Sequence, residues 1–355
     1  MKKIKGIQFV GTQRSGSNLL RLMLNQLDEI DAPHPPHILK TISPLLPVYG
    51  DLSKGFGLVD LVGDVLDLIK TNPIPWDQFT PQADEVIARC GRPSLIEVFR
   101  VLYEMKAEAA GANFWCCKSM ANIHYAQQLE TGDLAPFYLH IYRDGREVAA
   151  SFKKAMVGHK HIYFLARQWK KEQHLANTLK ARFKTRFIQV RYEDLISDPE
   201  VVCQAICRKL EIAYRPQMLN YHLAKESIDA SMAGRMWENL SRPVIQDNNN
   251  KFLKQLTQRE ILIFESLAGG MLEEYGYHRV MPKYRLIKAF SPKEIESFEQ
   301  SNKLLKIRAM GEAGQNDVAR RSSQEYLKAG LMKKLKRLTI RPQYASENIP
   351  CQGQF

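Results

Sequence analysis

No stretch of this chain approaches the ~20 consecutive apolar residues that a membrane-spanning helix needs. The basic start, Met1–Lys5, is followed by only a short apolar run that ends in a polar loop, too short for the core of a secretory signal. Cysteine is scarce, and its spacing excludes more than its number. Cys116 and Cys117 are adjacent, Cys203 and Cys207 are one helical turn apart, and Cys90 and Cys351 stand alone, with no CxxC pair and no zinc spacing. Reduced structural thiols and a soluble, cytoplasmic protein are therefore expected. Internal repeats are absent, as are hairpin signals between the apolar runs.

What the chain has in excess is positive charge. The formal net charge is +13 over 355 residues, beside an ordinary 45% hydrophobic and 25% charged content. Residues 281–355 carry 15 Lys/Arg against 7 Asp/Glu, so most of the excess lies in the last fifth of the chain. The modest remainder suits a pocket for a polyanionic small molecule better than a broad nucleic-acid groove.

Residues 4–28 organise the rest. Ile4 to Val10 reads as a buried parallel strand, Gly11 to Ser17 as a small polar loop, and Leu19, Leu20, Met23, Leu24 and Leu27 as one face of a helix. A loop between a strand and a helix start cradles anions, because the first backbone N–H groups of a helix are unpaired and the helix dipole is positive there. Gly11, Thr12, Gln13, Arg14, Ser15, Gly16, Ser17 and Asn18 are the candidate phosphate-binding residues. Gly11 and Gly16 have the spacing of the ATP-binding pattern GxxxxGK[ST], but Ser17 replaces its lysine and Asn18 its magnesium-binding hydroxyl. The cation has moved inside the loop, to Arg14. That disfavours ATP hydrolysis and leaves a nucleotide or sugar kinase as a weaker alternative.

Further strands are predicted at 113–118, 137–142 and 186–191. They alternate with helices at about 55–70, 81–90 (after Thr80-Pro81), 94–110, 121–130, one following Arg143-Asp-Gly-Arg146 through Lys154, 162–182, 198–210 and 257–275. This order implies an α/β fold with a parallel sheet and ligands at the carboxyl ends of its strands. Asp31 to Pro47, dense in proline, is expected as an extended loop, and 220–256 as a polar irregular stretch. A capping-box helix from Ser291-Pro292 and a basic helix over 317–337 form an expected appendage over 281–355, serving packing or homo-oligomer formation, beside a main domain over 1–280.

A second cationic corner is LHIYRDGREVAASFKKA, where Arg143 ends a strand and Ser151 lies eight residues on, inside the next helix. With these residues in view, the sequence resembles sulfotransferases that use 3′-phosphoadenosine 5′-phosphosulfate (PAPS). TQRSGSNLLR is similar to the family's 5′-phosphosulfate loop, and Arg143 with Ser151 to its 3′-phosphate pair. FWCCKSMANIHYA, RYEDLISDP and EYGY follow in the family's order, so the resemblance covers about 1–280. Ser119-Met120 departs from the family's Thr-Pro, and GRMW (234–237) only faintly echoes its late glycine motif.

The resemblance implies a P-loop-like fold and transfer of a sulfuryl group from PAPS, without a metal, to a hydroxyl or amine of a small-molecule or carbohydrate acceptor. It implies Arg14 at the leaving phosphate and Lys118 near the sulfuryl group or the acceptor. His34 stands about where family branches with an acidic base place that residue, with His37 nearby and Glu97 as an outsider. Tyr192 is a candidate for the adenine, Arg235, Trp237 and Lys251 for closure over the nucleotide, and Arg21 for the acceptor cleft. Phe56, Leu58 and Trp76 are candidates for apolar lining. A non-enzymatic polyanion or nucleic-acid binder, and a fold that binds 3′,5′-ADP (PAP) without catalysis, remain as alternatives. No specific nucleic-acid partner is expected.

Overall fold

The computed structural model describes residues 4–340, apart from 77–78, 233, 235–236 and 313. Five parallel strands, β1 (Lys5–Val10), β2 (Ile30–Asp31), β3 (Phe114–Cys117), β4 (Phe137–Tyr142) and β5 (Phe187–Arg191), form one sheet in the order β2-β3-β1-β4-β5. β1 is central and buried, with Ile7, Phe9 and Val10 at zero exposure, which explains its largely apolar run; its one interior polar residue, Gln8, donates to the Cys117 and Ser119 carbonyls. Ile7 registers with Cys116 on one side and Phe137 on the other. Gly6 is required where the Trp115 indole crosses β1: a Cβ there would lie 2.2 Å from the ring.

The helices are α1 (Ser17–Leu24), α2 (Ile38–Ile42), α3 (Gly57–Lys70), α4 (Ala83–Arg89), α5 (Leu95–Ala109), α6 (Ala126–Thr131), α7 (Gly145–Lys154), α8 (Ile162–Arg182), α9 (Tyr192–Ser197), α10 (Pro199–Leu210), α11 (Lys225–Met232), α12 (Phe252–Gln255), α13 (Gln258–Glu274), α14 (Pro292–Gly311) and α15 (Gln315–Ile340). α1 and α10 pack with β1, β3, β4 and β5 through Leu20, Leu24, Ile206 and Leu210. α2, α3 and α5 enclose a second core around Trp115 and Cys117, and α7, α8 and α13 a third around Trp169 and Phe264. From β1 the chain builds β2 and β3 on one side, then crosses to β4 and β5 on the other. The reversal falls between β1 and β4, where a parallel sheet opens a crevice at its carboxyl edge.

Several expectations needed correction. β2 has only two residues, too few to show a period. The proline-rich loop holds a short helix, α2, and a 3-10 turn over Ser43–Tyr49, because Pro44 sits at the turn's start, where its missing N–H costs nothing. α4 begins at Ala83, with Gln82 and Glu85 closing a capping box in place of Thr80. The 220–256 stretch contains α11, α12 and a 3-10 turn over Glu238–Ser241.

The expected appendage packs onto the body over its described part. Phe298 of α14 stacks on His161 at 4.5 Å, and the Asn302 side-chain oxygen accepts from the backbone N–H groups of Lys160 and His161 at 2.8 and 3.0 Å. Leu331 of α15 is buried in the core around α3 and α5. α14 starts at the expected capping box, Ser291 with Glu294. Among the described residues no helix is long and apolar enough to cross a membrane, and the five described cysteines are free. Cys351 lies outside the described residues.

Candidate active site

Both cationic corners reach one cavity of about 900 Å³ along the carboxyl edge of the sheet. The loop after β1 turns through two left-handed residues, Arg14 (φ 72°) and Gly16 (φ 89°). Such a conformation is costly for arginine and natural for glycine. Gly16 has a second reason: a Cβ there would stand 2.3 Å from the Tyr192 ring, which packs directly beneath the loop. Gln13, Arg14, Gly16, Ser17 and Asn18 line the cavity. Gly11, Thr12 and Ser15 lie behind it. The Thr12 hydroxyl accepts from Gln173 at 3.3 Å, Ser15 is fully buried, and Gly11 makes room for the Ile141 carbonyl.

Arg14 Nε donates to Ser151 Oγ on α7 at 3.0 Å, joining the loop after β1 to the helix after β4. Burial, then the nearby Arg143 guanidinium, lowers the Arg14 pKa to about 10. Arg143 is buried and lies over the Tyr192 ring at 4.3 Å. Its Nη2 donates to Glu147 Oε2 at 2.9 Å and to the Asn248 carbonyl at 2.6 Å, while its buried Nε has no partner among the described residues. The Asn248 amide also donates to the Tyr192 hydroxyl at 2.6 Å. An orphaned guanidinium N–H, a glycine cradle and a flat aromatic face fit a nucleotide that bears more than one phosphate.

Asp144 caps α7 and grips Arg146, with Nη2–Oδ2 at 2.6 Å. Arg146 Nη1 reaches the fully buried Glu265 of α13 at 2.6 Å. This anchor holds the turn that presents Arg143. Asp144 is thus engaged with Arg146, and Asp194 lies 3.9 Å from Arg191. The EYGY motif secures the sheet edge: Tyr277 donates to Glu193 at 2.8 Å and Tyr275 to Asn177 at 2.7 Å.

The other half of the cavity lies beyond β2 and β3. Lys118 follows β3 and is buried, and desolvation, then Arg21 and Arg14, bring its pKa down to about 7. His34 is buried beneath the edge of Trp237, with ring centres 5.3 Å apart. Its Nδ1 lies 3.3 Å from Asn72 Oδ1. The Asn72 amide nitrogen already donates to the His34 and Ile74 carbonyls at 2.9 and 2.8 Å, so its oxygen is the end that accepts from Nδ1–H. The lone pair therefore resides on Nε2, which is buried without a partner among the described residues. Burial, then Lys118, hold His34 well below the usual histidine range, as neutral imidazole. His37 contacts Ser119 Oγ at 2.9 Å and is shifted the same way, by burial, then Lys118 and Lys40.

Other expectations fall elsewhere. Arg21 is fully buried, donates to the Ala32 carbonyl at 2.6 Å and pairs with Glu226 of α11. Glu97 is ion-paired with Arg100 at 2.8 Å on α5 and accepts from the Gly91 N–H, away from the cavity. Trp237 contacts His34 and packs with Ile74, at the Lys118 end rather than against the nucleotide loop. Arg235 lies outside the described residues. Lys251 does line the cavity. Trp76 is core and donates to the His34 carbonyl at 2.7 Å, Leu58 packs against the α3–α5 core, and Phe56 is exposed.

Asn72 and Asn248 gave no signal in the sequence, being single amides on loops far from the residues they hold. Arg321, Gln324 and Lys328 of α15 also line the cavity, a role hidden by reading that helix only as a basic appendage.

The cavity lies at the switch point of a parallel α/β sheet, where such sheets bind their ligands. The sulfotransferase family profile matches residues 7–216, and the chain belongs to that family, a family of transferases. It is also similar to three solved structures. The sulfotransferase domain of the Synechococcus PCC 7002 olefin synthase is 20% identical, with TM-score 0.45 over 88% of this chain and 95% of that one. A sulfotransferase domain from the curacin biosynthetic pathway is 21% identical, with TM-score 0.43 over 84% and 98%. Sulfotransferase STF9 from Mycobacterium avium is 11% identical, with TM-score 0.41 over 78% of each chain. Among curated proteins there is no match.

Proposed function

We propose that the protein transfers a sulfuryl group from PAPS to a hydroxyl, or an amine, of a small-molecule or carbohydrate acceptor and releases PAP. The observation that carries this reading is the Arg14–Ser151 contact, which joins the loop after β1 to α7 at one edge of the cavity. Arg14, Gln13, Ser17, Asn18 and the start of α1 hold the 5′-phosphosulfate. Arg143 and Ser151 take the 3′-phosphate, Arg143 Nε, which has no partner among the described residues, supplying a charge-assisted donor. Tyr192, beneath Gly16 and Arg143, offers its ring to the nucleoside.

In the reaction the acceptor oxygen forms a bond to sulfur while the bond from sulfur to the 5′-phosphate oxygen breaks. That electron pair stays on the phosphate, and the acceptor proton passes to His34 Nε2. Negative charge grows on the leaving phosphate and the sulfuryl oxygens, where Arg14 and protonated Lys118 stabilise it. The Trp237 ring packs against His34 with centres 5.3 Å apart, and Nε2 is buried.

Calorimetry with PAP and with ADP–Mg²⁺ tests the donor. Micromolar binding of PAP, with ADP–Mg²⁺ much weaker, supports this reading. Stabilisation by ADP–Mg²⁺ alone would overturn it in favour of a kinase.

A further inference from the structure

α14 is held to the body at two buried residues, Phe298 and Asn302. None follows in its second half, where Ala309 lines the cavity, as does Glu312 at the helix end. The Asn302 oxygen accepts from the Lys160 and His161 backbone N–H groups, which fixes the orientation of the amide. Its nitrogen therefore faces His159 Nδ1 at 3.2 Å, and as a donor it requires a lone pair there. His159 is neutral in this arrangement, with its proton on Nε2. Its ring stacks on Phe164, with centres 5.3 Å apart. Burial, then Lys306 of α14 and Lys160, hold its pKa below the usual histidine value.

The other titratable groups of this turn are accounted for. Lys160 is buried, its Nζ donating to the Phe152 and Val157 carbonyls at 2.9 and 2.7 Å, and Lys306 and Arg14 bear on it. His161 stacks on Phe298, and its Nδ1 accepts from the Tyr163 N–H at 3.3 Å. Glu260 of α13 and Lys153 of α7, paired at 2.5 Å, bear on His161 with opposite sign. We propose that His159 is a proton-sensitive clasp on the cavity wall. Protonation sets N–H against N–H at Asn302 and frees the second half of α14, taking Ala309 and Glu312 from the cavity, while Phe298 keeps the first half docked. The proton binds more tightly to the undocked imidazole. Docking is therefore at full strength above about pH 6.5, the value of a free histidine, and weakens as pH falls below it. This inference goes beyond the sulfotransferase reading and does not depend on it.

Hydrogen exchange of the full chain at pH 7.5 and 5.5, read by mass spectrometry and corrected for intrinsic rates, tests this. Peptides from 303–311 should lose about three- to tenfold in protection at pH 5.5 relative to peptides of α13 in the same sample, the range open to one imidazole over that interval. In His159→Asn the side-chain oxygen still accepts from Asn302 but does not titrate, so the relative loss should vanish. His159→Gln serves the same purpose if His159→Asn fails to fold. His159→Leu offers no acceptor and should show the lower protection at both pH values. Equal changes in α14 and α13 of the unaltered chain, a relative loss that persists in the Asn or Gln variant, or full protection in His159→Leu would overturn the inference.

Discussion

Asn72 holds His34 from two sides: its amide nitrogen donates to the His34 carbonyl at 2.9 Å, and its oxygen faces Nδ1 at 3.3 Å. Proton position on the imidazole is thus set by a residue outside the chemistry. His34→Gln should lower kcat by about 10²–10⁴, the usual worth of a general base. Asn72→Leu should lower it by roughly tenfold, since the ring survives but its tautomer is no longer enforced. Both should leave PAP affinity unchanged. Single-turnover transfer from labelled PAPS to an acceptor found by screening simple phenols, alcohols and amines, with calorimetry of PAP, checks this; a full-rate His34→Gln enzyme would remove His34 as base.

Arg143→Ala should weaken PAP by about 10–100-fold, the worth of hydrogen bonds to a charged group. Nucleotides without a 3′-phosphate, such as 5′-AMP, should be almost unaffected. Equal losses for both ligands would show that Arg143 does not read the 3′-phosphate.

Gly16→Ala forces a left-handed side chain into the Tyr192 ring, 2.3 Å from the new Cβ. A cost of about 1–3 kcal/mol is expected, with loss of PAP binding. Thermal melting with and without PAP reads both effects, and an unshifted Tm would contradict the packing.

Lys118 has a folded pKa of about 7 against an ordinary 10.5, so between these values the unfolded chain holds the extra proton. Its contribution makes stability rise with pH through that window and level off below about 7. Anionic donor phosphates favour the charged form, so PAP binding at pH 8 should take up nearly one proton. At pH 6, where Lys118 is already protonated, the uptake should vanish. Calorimetry in buffers of different ionisation enthalpy measures it, and Lys118→Met should abolish it.

Arg146→Leu leaves Asp144 and the fully buried Glu265 without their cation. Removing one partner of a buried pair costs about 3–5 kcal/mol. A Tm fall of several degrees is expected, and an unchanged Tm would show that the anchor is dispensable.

The legible parts were those written in local pattern. β1 and α8 could be read from a largely apolar run and a helical stripe, and the approach of Arg14, Arg143 and Ser151 to one cavity from their nearness to strand–helix junctions. β2 was invisible, because two residues carry no alternation. Glu97, an outsider in the sequence, is a helix residue paired with Arg100. The surroundings of Trp237 and the cavity face of α15 were the least legible. Their roles come from contacts among His34, Trp237 and Arg321, which distant segments bring together, and no spacing along the chain encodes such a meeting.

Asn248 gives both its faces to the donor corner, a carbonyl on Arg143 and an amide on Tyr192. A 3′-phosphate arriving at Arg143 competes with that carbonyl for the same guanidinium. The strap that carries Asn248 also carries Trp237, the cover over His34. Loading the donor would thereby loosen the latch on the base, giving a compulsory sequence of arrivals that guards the activated sulfuryl group against water. Product-inhibition patterns that fit random addition would rule out such a sequence.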